Sequence, residues 1–438
     1  MFDISIRGKM VERALLVSAY ERPAERDAAE NLLLELEELV DTLGVPVVDR
    51  MLIHLRETHP RLLLGTGKAE EIAQRIKAEG LDALIFDNEL SPSQQRNWES
   101  LTGVTVLDRQ EVILDIFAQR AQTHEARLQI ELARMEYALP RLTRAWGHLV
   151  RQGGGIGAKG EGESQLEQDK RRIRVHILRL KRELEEVRSA RSTRRKDRKR
   201  APVPNAAIVG YTNAGKSSLM RLLTGAEVLV EDKLFATLDT TTRKVSLPNN
   251  RPLLLTDTVG FVRRLPHRLV EAFRATLEES VLADFLIHVL DASQPEVLEF
   301  YDTTMKVLGD LGAETKRMLV VFNKIDLVPE RSALEPLRSA FPDAHFVSVH
   351  TREGIDNLLE HMAEQVSVGS EICHLQIPAS EGEKMARLHR SAKVLETHYE
   401  ADSVRFVAAV PGRLLSEYEP FRVPAFSNSP PDVHGGPH

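Results

Sequence analysis

From residue 14 to residue 107, short apolar runs alternate with stretches whose apolar residues recur every three or four positions. Ala14-Leu15-Leu16-Val17, the run 45–53, Ala83-Leu84-Ile85-Phe86 and Val104-Thr105-Val106-Leu107 have the length and composition of strands, and 31–40 and 69–76 carry helical spacing. Strand and helix in alternation predict a small open sheet with crossover helices, an α/β unit over residues 1–109. Residues 110–150 and 164–199 then read as two long helices. Leu128, Leu132, Met135 and Leu139 in the first, and Leu166, Ile173, Ile177, Leu180, Leu184 and Val187 in the second, follow the spacing of a coiled-coil seam. An antiparallel hairpin over 110–200 is expected, with the glycine-rich stretch 153–162 at its tip. Pro202 and Pro204 end any helix, and the alternation returns over 201–368. The last unit, 369–438, reads as a strand from Cys373, a helix over 381–395, a strand over 404–410 and a Pro- and Gly-rich tail expected to be disordered.

Composition adds bounds. A chain of 438 residues accommodates about three domains at roughly 150 residues each. Hydrophobic residues at 42% and charged residues at 28% exclude a mostly disordered or collagen-like chain. Cys373 is the only cysteine, so an internal disulfide and a Cys-rich metal site are both out of reach, and a reducing, cytoplasmic setting is expected. Met1-Phe2-Asp3-Ile4-Ser5 shows no basic stretch leading into an apolar one, and no apolar run approaches the roughly 18 residues of a membrane span, so neither export nor insertion is expected. The charge distribution changes the picture more. The net charge of −6 argues against a nucleic-acid partner, yet residues 171–200 hold 14 Lys and Arg against 4 Asp and Glu, a basic arm in an otherwise acidic protein.

Candidate chemistry lies in the second half. Gly210-Tyr211-Thr212-Asn213-Ala214-Gly215-Lys216-Ser217 matches the phosphate-binding loop pattern G-x-x-x-x-G-K-[ST], with strand 206–209 before it and helix 218–223 after it. Glycines let the backbone wrap a phosphate, the N–H groups and helix N-terminus supply positive potential, Lys216 reaches the β- and γ-phosphates, and the Ser217 hydroxyl suits magnesium. The loop indicates a nucleotide without selecting one. Asn323-Lys324-Ile325-Asp326 ends strand 319–322, and the Asp326 carboxylate matches the paired N1–H and 2-amino donors of guanine, whereas adenine leaves it unpaired.

Asp257-Thr258-Val259-Gly260 follows strand 253–256. Asp257 suits magnesium through a water molecule, and the Gly260 N–H suits the γ-phosphate. Phe235-Ala236-Thr237-Leu238-Asp239-Thr240-Thr241-Thr242-Arg243 supplies the other switch, with Thr237 favoured as the second magnesium ligand and Thr241 its rival. Lys216, Thr237, Asp257 and Gly260 are therefore the candidate catalytic set. Phe261 stands where many small GTPases place a glutamine that orients the attacking water, and a phenyl ring has no hydrogen-bonding atom. Slow intrinsic turnover is expected, with a partner, or a group such as Asp239 moved by that partner, completing the site.

Together with Gly65-Thr66-Gly67-Lys68-Ala69-Glu70-Glu71-Ile72, the segment 160–167, and Arg264-Leu265-Pro266-His267 after Phe261, these motifs resemble the HflX family of ribosome-associated GTPases over nearly the whole chain. The expected fold class is α/β: a P-loop GTPase domain preceded by a small α/β domain with a helical coiled-coil hairpin, and followed by a small α+β C-terminal domain. The resemblance implies that the N-terminal domain and hairpin bind the large (50S) ribosomal subunit toward its peptidyl-transferase region, and that the GTP-bound form helps split stalled or stressed ribosomes. It implies nucleotide contacts from Gly210 through Ser217, from Phe235, Ala236, Thr237, Leu238 and Asp239, from Asp257, Thr258, Val259 and Gly260, from Asn323, Lys324, Ile325 and Asp326, and from Ser348-Val349-His350. Ser217 and Thr237 would then hold Mg2+. The chain departs from the family at Thr240 and Glu161, where proline is usual, and at Ser348-Val349-His350, where Ser-Ala-Lys or Ser-Ala-Leu is common. On this reading the basic arm meets rRNA phosphates, and the protein is expected to be a monomer. The alternative is a P-loop enzyme or assembly factor acting on RNA or a small substrate; the G-domain spacing leaves no obvious acceptor-binding insertion, and ATP use stays open.

Overall fold

The computed structural model describes residues 11–142, 159–199, 203–225, 234–235, 238, 240–248, 251–264, 279–367 and 370–424. Its first sheet holds β1 (Ala14–Tyr20), β2 (Val47–His54), β3 (Ala83–Phe86) and β4 (Thr105–Asp108), all parallel in the order β2-β1-β3-β4. The crossovers are α1 (Arg26–Thr42), α2 (Thr66–Glu79) and α3 (Pro92–Thr102). β1 and β3 read as unbroken apolar runs because helices cover both sides: Leu16 and Ile85 share a core with Leu36 and Leu39, while Leu15, Val17 and Leu84 pack with Ile72, Ile76 and Trp98. Apolar periodicity did not announce α3. Its caps fix it, through a reciprocal Ser91/Gln94 box, Pro92 in the first turn and Gly103 at φ 76°.

The single helix expected over 110–150 is broken. α4 (Arg109–Arg120) stops where Ala121 turns extended, and Thr123 caps α5 (His124–Ala138) by accepting from the Ala126 N–H. Both halves contribute to one core, α5 through Ala126, Ile130, Ala133 and Tyr137, but α5 has a second buried face. α4 puts Val112, Ile113, Ile116 and Phe117 into the N-terminal core, whereas α5 lays Leu128, Leu132 and Met135 against Leu180, Leu184 and Val187 of α6 (Lys159–Lys199). A Glu131–His176 hydrogen bond at 2.8 Å and the ion pair Glu136–Lys181 at 2.7 Å flank that seam. Leu139 sits in the 3-10 turn Leu139–Arg141. Tip residues 153–158 lie outside the described residues, as does the side chain of Leu166.

The second sheet has six strands in the order β10-β9-β8-β5-β7-β6, parallel except for β6 against β7. In chain order these are β5 (Asn205–Gly210), β6 (Thr241–Leu247), β7 (Arg251–Asp257), β8 (Phe285–Asp291), β9 (Met318–Asn323) and β10 (His345–Phe346). Helices α7 (Lys216–Thr224), α8 (Val297–Asp310), α9 (Glu335–Ala340) and α10 (Ile355–Ser367) accompany them. The ends of β5, β7 and β9 carry the three sequence motifs along one sheet edge, where open α/β sheets take ligands.

The third sheet is antiparallel, in the order β11-β13-β12. β11 (Ser370–Pro378) and β13 (Ser403–Pro411) agree with expectation, but the helix expected over 381–395 ends early, as α11 (Gly382–Ser391). Lys393–Tyr399 is instead β12, because Val394, Thr397 and Tyr399 suit a pleated surface and pair with β13. A short α12 (Gly412–Tyr418) follows. The tail expected to be disordered beyond the strand is instead ordered as far as residue 424, because Leu414 and Tyr418 of α12 join the core of the third sheet; residues 425–438 lie outside the described residues.

Candidate nucleotide site

The phosphate loop is shaped by two glycines that accept no side chain. Gly210 ends β5 at φ +145°, and a Cβ there would fall onto the Val289 carbonyl oxygen; Gly215 precedes α7 at φ +92°, where a Cβ would meet the Asn323 amide. That amide is itself a tie. Asn323 Nδ2 donates to the Ala214 carbonyl at 3.0 Å, and its Oδ1 accepts from the Val349 N–H at 3.1 Å. One side chain thus joins the loop, the Asn323-Lys324-Ile325-Asp326 element and the segment Ser348-Val349-His350. The remaining loop residues, Tyr211, Thr212, Asn213 and Ala214, lie between these glycines, with Asn213 at φ 59° and exposed.

Lys216 opens α7 from a buried position, and its Nζ donates to the Tyr211 carbonyl at 2.6 Å. Burial pushes its ammonium down to about 8, with Asp257 opposing the shift and Lys324 reinforcing it. Ser217 Oγ donates to Asp257 Oδ2 at 2.6 Å, so the two expected magnesium-side residues sit together. The buried Thr258 hydroxyl donates to the Ile208 carbonyl at 2.6 Å and holds the end of β7 against β5. Beyond it the chain zips onto the loop: Phe261 N–H donates to the Gly210 carbonyl at 3.1 Å, and Thr212 N–H to the Phe261 carbonyl at 2.8 Å. Gly260 is consequently so close that a Cβ would lie 2.8 Å from Thr212 Cγ2 and 2.9 Å from both Thr212 Cα and Lys216 Nζ. Val259 and Phe261 are buried, and the ring is part of the apolar core.

On the base side, Lys324 adopts φ 63° and its Nζ pairs with Asp291 at 2.7 Å. Ile325 is buried and donates its N–H to the Val347 carbonyl at 3.3 Å, while Asp326 is exposed on the following turn. Ser348 is buried and accepts from the Thr351 N–H at 3.0 Å; His350 is exposed. In the segment expected to form the first switch, Phe235 and Leu238 are buried, and Phe235 meets the ring of Phe117 edge-on at 4.5 Å. Ala236, Thr237 and Asp239 lie outside the described residues. Thr241, the rival ligand, opens β6 opposite Asp257.

Sequence reasoning missed a buried polar cluster beneath the loop. The Tyr211 hydroxyl donates to Glu35 Oε2 of α1 at 2.5 Å and accepts from the Arg263 N–H at 2.7 Å. Glu35 also takes Arg263 Nε at 3.1 Å and pairs with Arg109, which reaches Asp87 at 2.8 Å; Asp87 in turn takes Arg264 at 2.9 Å. Glu35 and Tyr211 are 176 residues apart, and no local pattern connects them.

Family models described as GTP-binding GTPase N-terminal, GTP-binding GTPase Middle Region and 50S ribosome-binding GTPase match residues 30–118, 120–198 and 205–324. GTPase HflX of Akkermansia muciniphila is 50% identical over 433 residues, covering 96% of this chain and 99% of that one. The chain belongs to the HflX family of GTPases. GTPase HflX of Escherichia coli (strain K12) is 40% identical over 426 residues, covering 96% of this chain and 98% of its own. A crystal structure of a GTP-binding protein from Sulfolobus solfataricus in complex with GDP covers 81% of this chain and 98% of its own at 26% identity, with a TM-score of 0.44. The chain is an enzyme that binds and hydrolyses GTP, with a G domain of the 50S-binding class that the third family model describes.

Proposed function

We propose that this protein is a magnesium-dependent GTPase that docks on the large ribosomal subunit through its N-terminal domain and hairpin, and that its nucleotide cycle controls docking and the splitting of stalled or stressed ribosomes. The observation that carries the reading is the Asn323 tie, which makes the phosphate loop and the guanine-reading element one rigid site in a chain that also bears the basic arm. In this reading Lys216 and the loop N–H groups bind the β- and γ-phosphates, Gly260 N–H donates to the γ-phosphate, and Asp326 reads the base. Ser217 and Asp257, hard oxygen donors already 2.6 Å apart, fit magnesium, with Thr237 as the second direct ligand. Magnesium, when bound, supplies neutralisation of charge on the β- and γ-oxygens.

Phe261 offers no atom to the attacking water and is itself buried, so completion of the site falls to the partner. GTP turnover is expected to rise at least about tenfold when purified large subunits are added; turnover indifferent to them would remove the ribosome from the reading. The arm supplies the second test. Reversing Arg194, Arg195 and Arg198 to Glu is expected to weaken co-sedimentation with large subunits and to flatten its salt dependence, by about 0.7–0.9 in log–log slope for each rRNA phosphate no longer neutralised. Nucleotide affinity should stay the same, since the arm precedes the G domain. Co-sedimentation at the wild-type level would assign the charge to solubility alone. A cytoplasmic location belongs to the same proposal; no helix among the described residues is long and apolar enough to cross a membrane.

A further inference from the structure

The second switch is pinned to the phosphate loop at three points within three residues, 261–263. Two pins are main-chain bonds, from Phe261 N–H to the Gly210 carbonyl and from Thr212 N–H to the Phe261 carbonyl. The third is a side chain. Tyr211 Oη accepts the Arg263 N–H at 2.7 Å while donating its own proton to Glu35 Oε2 at 2.5 Å, so a carboxylate on α1 orients the phenol that holds the switch. The ring cannot swing away, because it stacks on Phe300 with centroids 4.1 Å apart and planes 17° from parallel. Glu35 is fixed from its other side by Arg109, whose partner Asp87 also receives Arg264. Residues 263 and 264 of the switch are thereby both anchored to carboxylates of the N-terminal unit.

We propose that Tyr211 is a positioning residue for GTP hydrolysis: its hydroxyl, oriented by Glu35, fixes the main chain at Arg263 and with it the placement of Gly260 over Lys216. The inference rests on the reading of Gly260 as the γ-phosphate donor, and it adds a route by which the N-terminal unit sets hydrolysis. Phosphate binding needs the loop N–H groups and Lys216, which the hydroxyl does not touch. Placement of the Gly260 donor as charge develops on the γ-phosphate is what the hydroxyl governs.

Tyr211→Phe isolates the point, because the ring and its stacking on Phe300 remain while the hydroxyl goes. Loss of a buried, charge-assisted hydrogen bond from a site that must be preorganised is expected to lower kcat of ribosome-free turnover about tenfold, with KM for GTP moving less than about twofold. Glu35→Gln keeps an acceptor but removes its charge. It is expected to lower kcat by about threefold alone and to add little to Tyr211→Phe, since both act through one hydrogen-bonded chain. Unchanged kcat in Tyr211→Phe would overturn the proposal, and so would effects of the two substitutions that multiply fully. A parallel rise in KM and fall in thermal midpoint would overturn it too, by showing loop damage instead. Gly260→Ala separates the two levels of inference: if that change leaves turnover intact, the reading of the switch fails, whereas a crippled Gly260→Ala beside a normal Tyr211→Phe sinks the role of the tyrosine alone.

Discussion

Asp326→Asn is expected to lower GTP affinity by about 100- to 10,000-fold and to transfer preference to xanthosine triphosphate, because two charge-assisted hydrogen bonds of about 1.5–3 kcal/mol each are lost. On the proposed assignment the carboxylate accepts from the guanine N1–H and 2-amino group together; an amide leaves one of those contacts uncharged and turns the other into a donor facing a donor, so neither charge-assisted bond survives. Xanthine, with a carbonyl in place of the amino group, accepts what the amide offers. The geometry favours a clean result. Asp326 is exposed on its turn, and the turn is held by buried Ile325 and by Asn323 with its two bonds, none of which the substitution touches. Competition of GTP and xanthosine triphosphate for a fluorescent nucleotide measures the switch. If GTP kept its wild-type advantage, base recognition would have to be sought elsewhere.

Gly260→Ala should reduce turnover by about 100-fold or more, the usual consequence of displacing one preorganised transition-state donor. The added methyl would stand 2.9 Å from Thr212 Cα, which belongs to the main chain and cannot step aside, as well as 2.9 Å from Lys216 Nζ. The switch must back away from the loop, taking the Gly260 N–H with it. On the proposed assignment GDP binding depends on the loop N–H groups and the base site, so it should fall by less than about threefold. Rapid-quench turnover beside GDP titration separates the two quantities; equal losses in both would mean that the methyl distorts the loop instead.

The backbone shape of the candidate site was legible in the sequence, because main-chain demands leave marks. Gly210 and Gly215 occupy conformations and close approaches that exclude a Cβ, and Lys216 and Ser217 follow at fixed offsets because a helix must start there. β1, β3, β5 and β9 were legible for a related reason, as buried parallel strands are apolar nearly throughout, whereas the antiparallel and largely exposed β6 offers no such run. Elements whose identity is decided by partners were not. The run from Lys393 has helical and extended readings of similar merit until β13 lies beside it, and the break at Ala121 appears only once α5 turns a second face to α6. The cluster around Glu35 was invisible for the same reason. Its members come from α1, the ends of β3 and β4, the loop and the switch, and each alone reads as an ordinary surface charge or aromatic.

Leu36 and Phe117 from the first unit share one apolar interior with Tyr211, Phe235, Phe261 and Phe300 from the second, whereas residues 370–424 close around an interior of their own. Excising the catalytic unit therefore turns a seam into an open wound of aromatic surface, and the fragment would be prone to self-association. Swapping either half with that of a relative demands both sides of the seam at once, while the last unit keeps its own interior and meets the catalytic unit where α11 packs on β7.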